Sequence, residues 1–398
     1  MSIKAGVGMS RHHDPSIAGR EAAQQALEKA GVSNPDLVFM FASIGYDQSS
    51  VLRAVRETTG GAPLTGCSAE GTINGDEADE SNFSVVVTAI SSEELRWHHG
   101  IAKGLEDDPG AVGKQLAKDL IPHLSDKTIG LFVFPDGLID DLGNFFGELE
   151  ENLPSERFLL LWGGGAGNNF SVQTPTYQYC DDEAVSDGVS YALLSGEART
   201  AWAIGHGLMP IGGERIVTRS KGNVIYEIDD KPAVEVLKEY LLDHPFVEDR
   251  DWMRYAISLA LTSKAPNYVK DEEYVVRGVP AVRKADGSVA VQTDVPEGTS
   301  VWFSSRDKKK ITTGFDRMAA QINEQLGGEK PNLVFQFECL TRGKSLFREQ
   351  EKQQILEQFR QSLDPDAPWA GFYTIGEIGP VEEHNLRHLY TSVVLALS

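Results

Sequence analysis

The sequence predicts an α/β protein of two related domains with mixed sheets, each built from repeated strand-helix-strand-strand units, and three observations predict it. First, Pro35-Asp36-Leu37-Val38-Phe39-Met40-Phe41 returns as Pro331-Asn332-Leu333-Val334-Phe335-Gln336-Phe337. Second, a glycine block follows each copy: Gly66-Cys67-Ser68-Ala69-Glu70-Gly71-Thr72-Ile73 and Gly371-Phe372-Tyr373-Thr374-Ile375-Gly376-Glu377-Ile378 keep both glycines and the isoleucine in register. Third, Phe83-Ser84-Val85-Val86-Val87-Thr88-Ala89-Ile90 aligns without a gap on Tyr390-Thr391-Ser392-Val393-Val394-Leu395-Ala396-Leu397. Three matches in one order define a repeated unit, and self-similarity decides fold before finer signals do.

The elements follow in chain order. Asp14 caps a helix with Pro15 at its first position, Ile17, Ala22, Ala23, Ala26, Leu27 and Ala30 supply the inward face, and Gly31 ends it. Leu37 to Phe41 is a short apolar strand, Val51, Leu52 and Val55 are helically spaced, and Gly60-Gly61-Ala62-Pro63 stops that helix. A middle copy opens with a helix at Val112, Leu116 and Leu120. Its strand is Leu131-Phe132-Val133-Phe134, and its helical stripe runs over Leu138, Leu142, Phe145, Phe146, Leu149 and Leu153. Gly163-Gly164-Gly165-Ala166-Gly167 stands at the glycine block, read as a wide turn, and Val189 to Leu194 is the closing strand. Phe315, Met318, Ile322 and Leu326 form the helix before the last copy. Symmetry adds a fourth, degenerate copy between about 250 and 306, around Ala256 to Leu261 and Val301-Trp302-Phe303.

At 398 residues the chain exceeds one ordinary core. The turn-rich stretch from Gly222 to Ala233 places the division there, giving domains 1–221 and 222–398 of two units each. The net charge of −22, with no basic stripe, repels phosphate backbones and anionic lipid, so neither nucleic acid nor membrane is an expected partner. No apolar run is long enough to span a bilayer, and Met1-Ser2-Ile3-Lys4 does not open a signal segment. The expectation is a cytoplasmic protein. Cys67, Cys180 and Cys339 form no CxxC pair, which argues against a disulfide framework or a structural zinc.

Phe134-Pro135-Asp136-Gly137, the block Gly163 to Gly167, Glu227-Ile228-Asp229-Asp230-Lys231-Pro232-Ala233, Phe337-Glu338-Cys339-Leu340-Thr341-Arg342-Gly343 and Gly376-Glu377-Ile378-Gly379-Pro380 together resemble the paired N- and C-terminal FIST domains. The resemblance implies a sensory protein for a small ligand, an amino acid or similar metabolite. No residues remain for an output domain, so signalling is expected to pass through a partner on a separate chain. Some relatives resemble haem-based nitric oxide sensors, which makes a haem-binding sensor the alternative. Two positions depart from the family pattern: Asn168 replaces an aspartate after the glycine block, and Gly207-Leu208 replaces a Gly-Trp pair.

The repeat suggests where a ligand sits. Ser43, Asp136 and Cys339 each lie two residues past the last phenylalanine of their strands, and ligands of open α/β sheets bind at strand carboxyl ends. Beside Cys339, Arg342 offers a guanidinium for a carboxylate and Gly343 permits close approach; Arg342 could instead pair with a helix carboxylate such as Glu349. Glu377, where the first copy has Thr72, could face an amino group, with Asn385 beyond it. The glycine block lacks the Gly-Lys-Ser/Thr ending of a phosphate loop. Adjacent His98 and His99 on a strand point to opposite faces, so no metal site is expected; haem needs one axial ligand, for which His206 and His384 are the candidates. A thiol-dependent enzyme using Cys339 is the remaining alternative, without a local signature for an activating base.

Overall fold

The computed structural model describes residues 3–139, 142–154, 158–169, 174–240, 259–269, 272–278, 281–283, 285–291, 294–381 and 383–398. The chain divides in space into a unit of Met1–Ile204 with Phe315–Ser398 and a unit of Gly205–Gly314. This division differs from the one placed at 221/222: the last repeat joins the first two, and the intervening segment forms the second unit. Strand content, helices and mixed sheets give the expected α/β class.

Three equivalent sheets make up the larger unit. The central strands are Leu37–Ser43, Thr128–Pro135 and Leu333–Cys339. Each pairs in parallel with the strand of its own glycine block, Leu64–Ala69, Leu161–Gly164 and Trp369–Thr374 respectively. Each pairs antiparallel on its other side with Val85–Ser91, Gly188–Gly196 and Thr391–Leu397. The parallel connections are helical, as a crossover requires: Gln48–Thr58, Leu142–Asn152 and Glu349–Leu363. Leu138, counted into the helical stripe from sequence, precedes this helix and is 51% exposed.

The sheets are completed by exchange. The hairpin of Gln178–Cys180 and Glu183–Val185, from the second repeat, extends the first sheet. Glu377–Val381 and His384–His388, from the third, extend the second sheet, and Gly71–Asn74 and Glu77–Asp79, from the first, extend the third. The exchange runs once around the three repeats.

Alternation along the strands sorts the side chains. Phe39, Phe132 and Phe335 point inward and touch one another, with ring centroids 5.0, 4.9 and 5.1 Å apart. Phe41, Phe134, Phe337 and Phe372 form the next layer. The opposite faces of the first two sheets meet helices, through Val38 and Met40 against Ala18, Ala22 and Val51, and through Leu131 and Val133 against Leu116 and Phe145.

The glycine block has a packing cause. A Cβ at Gly66, Gly163 or Gly371 would lie 1.9, 2.0 or 2.0 Å from the carbonyl oxygen of Met40, Val133 or Gln336, its partner across the parallel pair. The middle block therefore ends a strand, where a wide turn was expected. Asp14 and Gly31 cap the first helix as expected, Asp14 Oδ1 accepting from Ser16 and Ile17.

In the smaller unit every described strand pair is antiparallel, including Leu259–Val269 with Ser300–Arg306. The expected fourth copy, which would need a parallel pair, is not formed there by the described residues; Ala256, Ile257 and Ser258 lie outside them. The helix Ala233–Glu239 packs Val236 and Leu237 on Val217, Leu261 and Phe303.

Candidate functional site at the ends of the central strands

Above the phenylalanine layers the three repeats are bound into a ring by backbone. Glu70 N donates to Tyr373 O at 3.0 Å, Gly167 N to Ser68 O at 2.9 Å, and Ile375 N to Gly165 O at 3.0 Å. These are equivalent positions in each copy, so the ring closes with near-threefold symmetry.

The side chains at this level break the symmetry. Ser43, Asp136 and Cys339 follow Phe41, Phe134 and Phe337 on the inward face, and all three are buried. Ser43 Oγ has no hydrogen-bond partner among the described residues. Asp136 Oδ1 accepts from Leu138 N at 2.9 Å. Cys339 Sγ accepts from Thr341 Oγ1 at 3.1 Å and Tyr390 N at 3.2 Å. Burial, followed by the nearby Glu377 carboxyl, drives its thiol pKa far up, so it is a protonated thiol at neutral pH.

A second trio occupies the exchanged hairpins. Thr72, Gln178 and Glu377 pair with the residue after the close-approach glycine of the neighbouring repeat. Each reaches the start of a closing strand: Thr72 Oγ1 bonds Ser84 Oγ, Gln178 Oε1 accepts from Gly188 N at 3.1 Å, and Glu377 Oε2 accepts from Thr391 Oγ1 at 2.6 Å. Thr374 Oγ1 donates to Glu377 Oε1 at 2.6 Å. Burial pushes the Glu377 carboxyl up to about 7, against the pull of these hydroxyls.

Arg342 is placed elsewhere. Glu338 lies on the strand face away from the phenylalanine layers, and Arg342 joins it there, with Nε donating to Glu338 Oε1 at 2.5 Å and its guanidinium 5.1 Å from the Phe315 ring centroid. Strand alternation thus separates Arg342 from Cys339. Glu349, the alternative partner read from sequence, bonds Lys352 at 3.0 Å. Gly343 is crowded by Glu80, whose carboxylate accepts from Lys344 N at 2.7 Å and Lys352 Nζ at 2.9 Å. Asn385 does not join Glu377: its Oδ1 accepts from Leu161 N, and its Nδ2 donates to Glu150 Oε1 and Leu159 O, each at 2.9 Å.

Of the histidines, His206 lies in the smaller unit with Nδ1 accepting from Leu208 N at 3.1 Å, and His384 lies in the larger unit and is 72% exposed. Asn168, where the family pattern has aspartate, donates its backbone N–H to Glu70 Oε1 at 2.8 Å, as does Asn169 at 2.7 Å. Glu70, Glu80 and Glu338 were not singled out from sequence as binding groups. Their burial was the signal, and sequence does not show it.

At the amino end of the second central strand lies a groove of about 590 Å³ lined by Arg96, Trp97, His98, His123, Lys127 and Glu197 among others. His98 and His123 stack there with centroids 3.5 Å apart, while His99, on the other face of its strand, meets Asp181 at 3.0 Å.

The fold and site define a class: an α/β protein whose repeated scaffold carries a non-repeated buried polar tier. Residues 36–231 match the FIST N domain and 233–380 the FIST C domain, and the chain belongs to the FIST family, whose domains are sensory. An uncharacterized protein of Mycobacterium tuberculosis (strain ATCC 25618 / H37Rv) is 25% identical over 405 residues, covering 98% of both chains. An uncharacterized protein of Methanocaldococcus jannaschii is 29% identical over 191 residues, 44% of this chain and 35% of that one. Among solved structures, cyanuric acid hydrolase from A. caulinodans aligns over 100% of this chain and 99% of its own, at 8% identity and a TM-score of 0.37. No helix among the described residues is long and apolar enough to cross a membrane.

Proposed function

We propose that the protein senses a small polar metabolite, an amino acid or a close analogue, held at the carboxyl ends of the three central strands, and passes the signal to a partner on a separate chain in the cytoplasm. One observation supports this above the others: the scaffold repeats its phenylalanines at every layer, yet at the strand ends the same position becomes Ser43, Asp136 and Cys339, with Ser43 Oγ buried and without a partner among the described residues. Buried polar groups without partners are costly, and a ligand that supplies the missing hydrogen bond removes that cost.

The chemistry favours a cationic amine end on the ligand, because Asp136 and Glu377 offer carboxyl oxygens and the hydroxyl of Ser43 accepts or donates. Arg342, paired with Glu338 on the opposite face, plays no part in this reading. The reading needs no cofactor. It also needs no thiolate, and Cys339 is a contact rather than a nucleophile.

A thermal-shift screen of amino acids, their amines and haem tests the reading, since a ligand of the folded form raises the melting temperature. Asp136→Asn should weaken binding of the best hit by about 10-fold or more, as loss of a charged hydrogen bond does. His98→Ala, in the groove at the other strand end, should leave it unchanged. Unchanged affinity in a folded Asp136→Asn variant, with loss in His98→Ala, would move the site to the groove.

A further inference from the structure

We propose that His99, Cys180 and Asp181 form a three-ligand site for a zinc-type divalent cation, with the fourth position open to water or an incoming ligand. The residues come from two places: His99 from the strand Leu95–Lys103, and Cys180 and Asp181 from the end of the strand Gln178–Cys180 and the turn after it, in the exchanged hairpin that edges the first sheet. One ligand atom from each lies within 4.8 Å of the other two, and His99 Nε2 is 3.0 Å from Asp181 Oδ1. Ligand atoms around a tetrahedral ion with bonds of about 2.0–2.3 Å stand about 3.3–3.7 Å apart, so a side-chain rotation that draws the outermost donor inward completes the set, and the nitrogen, sulfur and oxygen donors are those of zinc.

The surroundings fix the position of Asp181. Asp181 adopts a left-handed backbone with φ of 51°, and the Leu64 backbone fixes it twice: Asp181 N donates to Leu64 O at 3.0 Å, and Leu64 N donates to Asp181 Oδ1 at 3.1 Å. Such outer contacts orient metal ligands and are part of their affinity. Arg56 is the competing cation. Its guanidinium is bound to Ala62 O and to Asp182 Oδ1 at 3.0 Å, and stands 3.7 Å from Asp181 Oδ1, too far for a hydrogen bond. All three ligand residues are only partly buried, so an ion reaches them from solvent. Sequence spacing does not reveal the set, because His99 and Cys180 meet only through the fold.

Cys180 binds an ion as its thiolate, so its proton leaves to solvent when the ion enters. Cys67 and Cys339 are buried away from solvent, which makes the thiolate signal specific to Cys180.

The test is titration of the whole protein with Co²⁺, read by thiolate-to-cobalt charge transfer in the near ultraviolet, followed by displacement with Zn²⁺. One ion per chain should produce the band, and Zn²⁺ should abolish it. Cys180→Ala should lose the band, and His99→Gln should weaken Zn²⁺ by at least about 100-fold, more than loss of an outer contact costs. Both changes sit at a partly exposed edge, and far-ultraviolet circular dichroism checks that each variant remains folded. Absence of the band in the wild type, its persistence in Cys180→Ala, or equal Zn²⁺ affinity in all three proteins would overturn the assignment.

Discussion

At the scale of single residues, the buried acids decide how the protein responds to pH. Glu377 is raised above its ordinary value of 4.5 to about 7 by burial, so the folded state holds its proton more tightly than the unfolded chain. Its contribution to stability is present in full below about pH 4.5 and lost as pH rises through about 7, a difference of about 3 kcal/mol. Glu377→Gln keeps the neutral form at every pH, and urea titrations between pH 5 and 8 should show a flatter stability profile than the wild type; equal slopes would show that Glu377 is not the group responsible. Glu338 and Arg342 present the opposite case, a buried pair whose members depend on each other. Arg342→Ala removes the counter-charge of a buried carboxylate that then keeps Gln336 Nε2, donating to Glu338 Oε2 at 2.9 Å, and should cost about 3–5 kcal/mol in urea unfolding, whereas Glu338→Gln with Arg342→Met should cost much less. A loss below about 1 kcal/mol for Arg342→Ala would mean that Glu338 finds another partner or water.

At the scale of elements, what was legible in the sequence was what repeats. The central strands, the caps at Asp14 and Gly31 and the register of the three blocks could all be read, because apolar periodicity and turn chemistry are local signals. The exchange of hairpins was not legible, since nothing local states that Gln178 pairs with Cys67 or Glu377 with Gly164. The same blindness explains the site: counting from the phenylalanines put Ser43, Asp136 and Cys339 on one face, while Arg342, three residues past Cys339, falls under the helices. Asn385 was grouped with Glu377 by nearness in sequence, but the antiparallel turn carries it away, opposite Pro380. The middle glycine block, Gly163 to Gly167, was legible as glycine but as a wide turn rather than a strand end, because its cause is a carbonyl on another strand. Gly163→Ala tests that cause: with φ of 153° and a carbonyl 2.0 Å from the new Cβ, the parallel pair must part, and the cost should exceed about 3 kcal/mol. Gly147, in a helix with nothing near its Cβ, is the control, where alanine should stabilise by about 0.5–1 kcal/mol.

At the scale of the whole molecule, the cyclic exchange makes the three repeats one cooperative body although they are separated in sequence. The second sheet is finished by Glu377–Val381 and His384–His388, the third sheet by Gly71–Asn74 and Glu77–Asp79, and the innermost phenylalanines come one from each repeat. A fragment of residues 1–221, the first domain read from sequence, lacks Phe335, Phe337 and Phe372 and leaves the edge of Leu161–Gly164 unpaired. Exposed edges and a missing third of a close-packed core are not survivable for a body whose net stability is only about 5–15 kcal/mol. The fragment should show no cooperative thermal transition and little amide protection. Adding residues 308–398 on a second chain should restore both, because every strand pairing of the third sheet that the fragment lacks is then present. A sharp melting transition and protected amides in 1–221 alone would show that two repeats suffice, and that the third docks onto a core already formed.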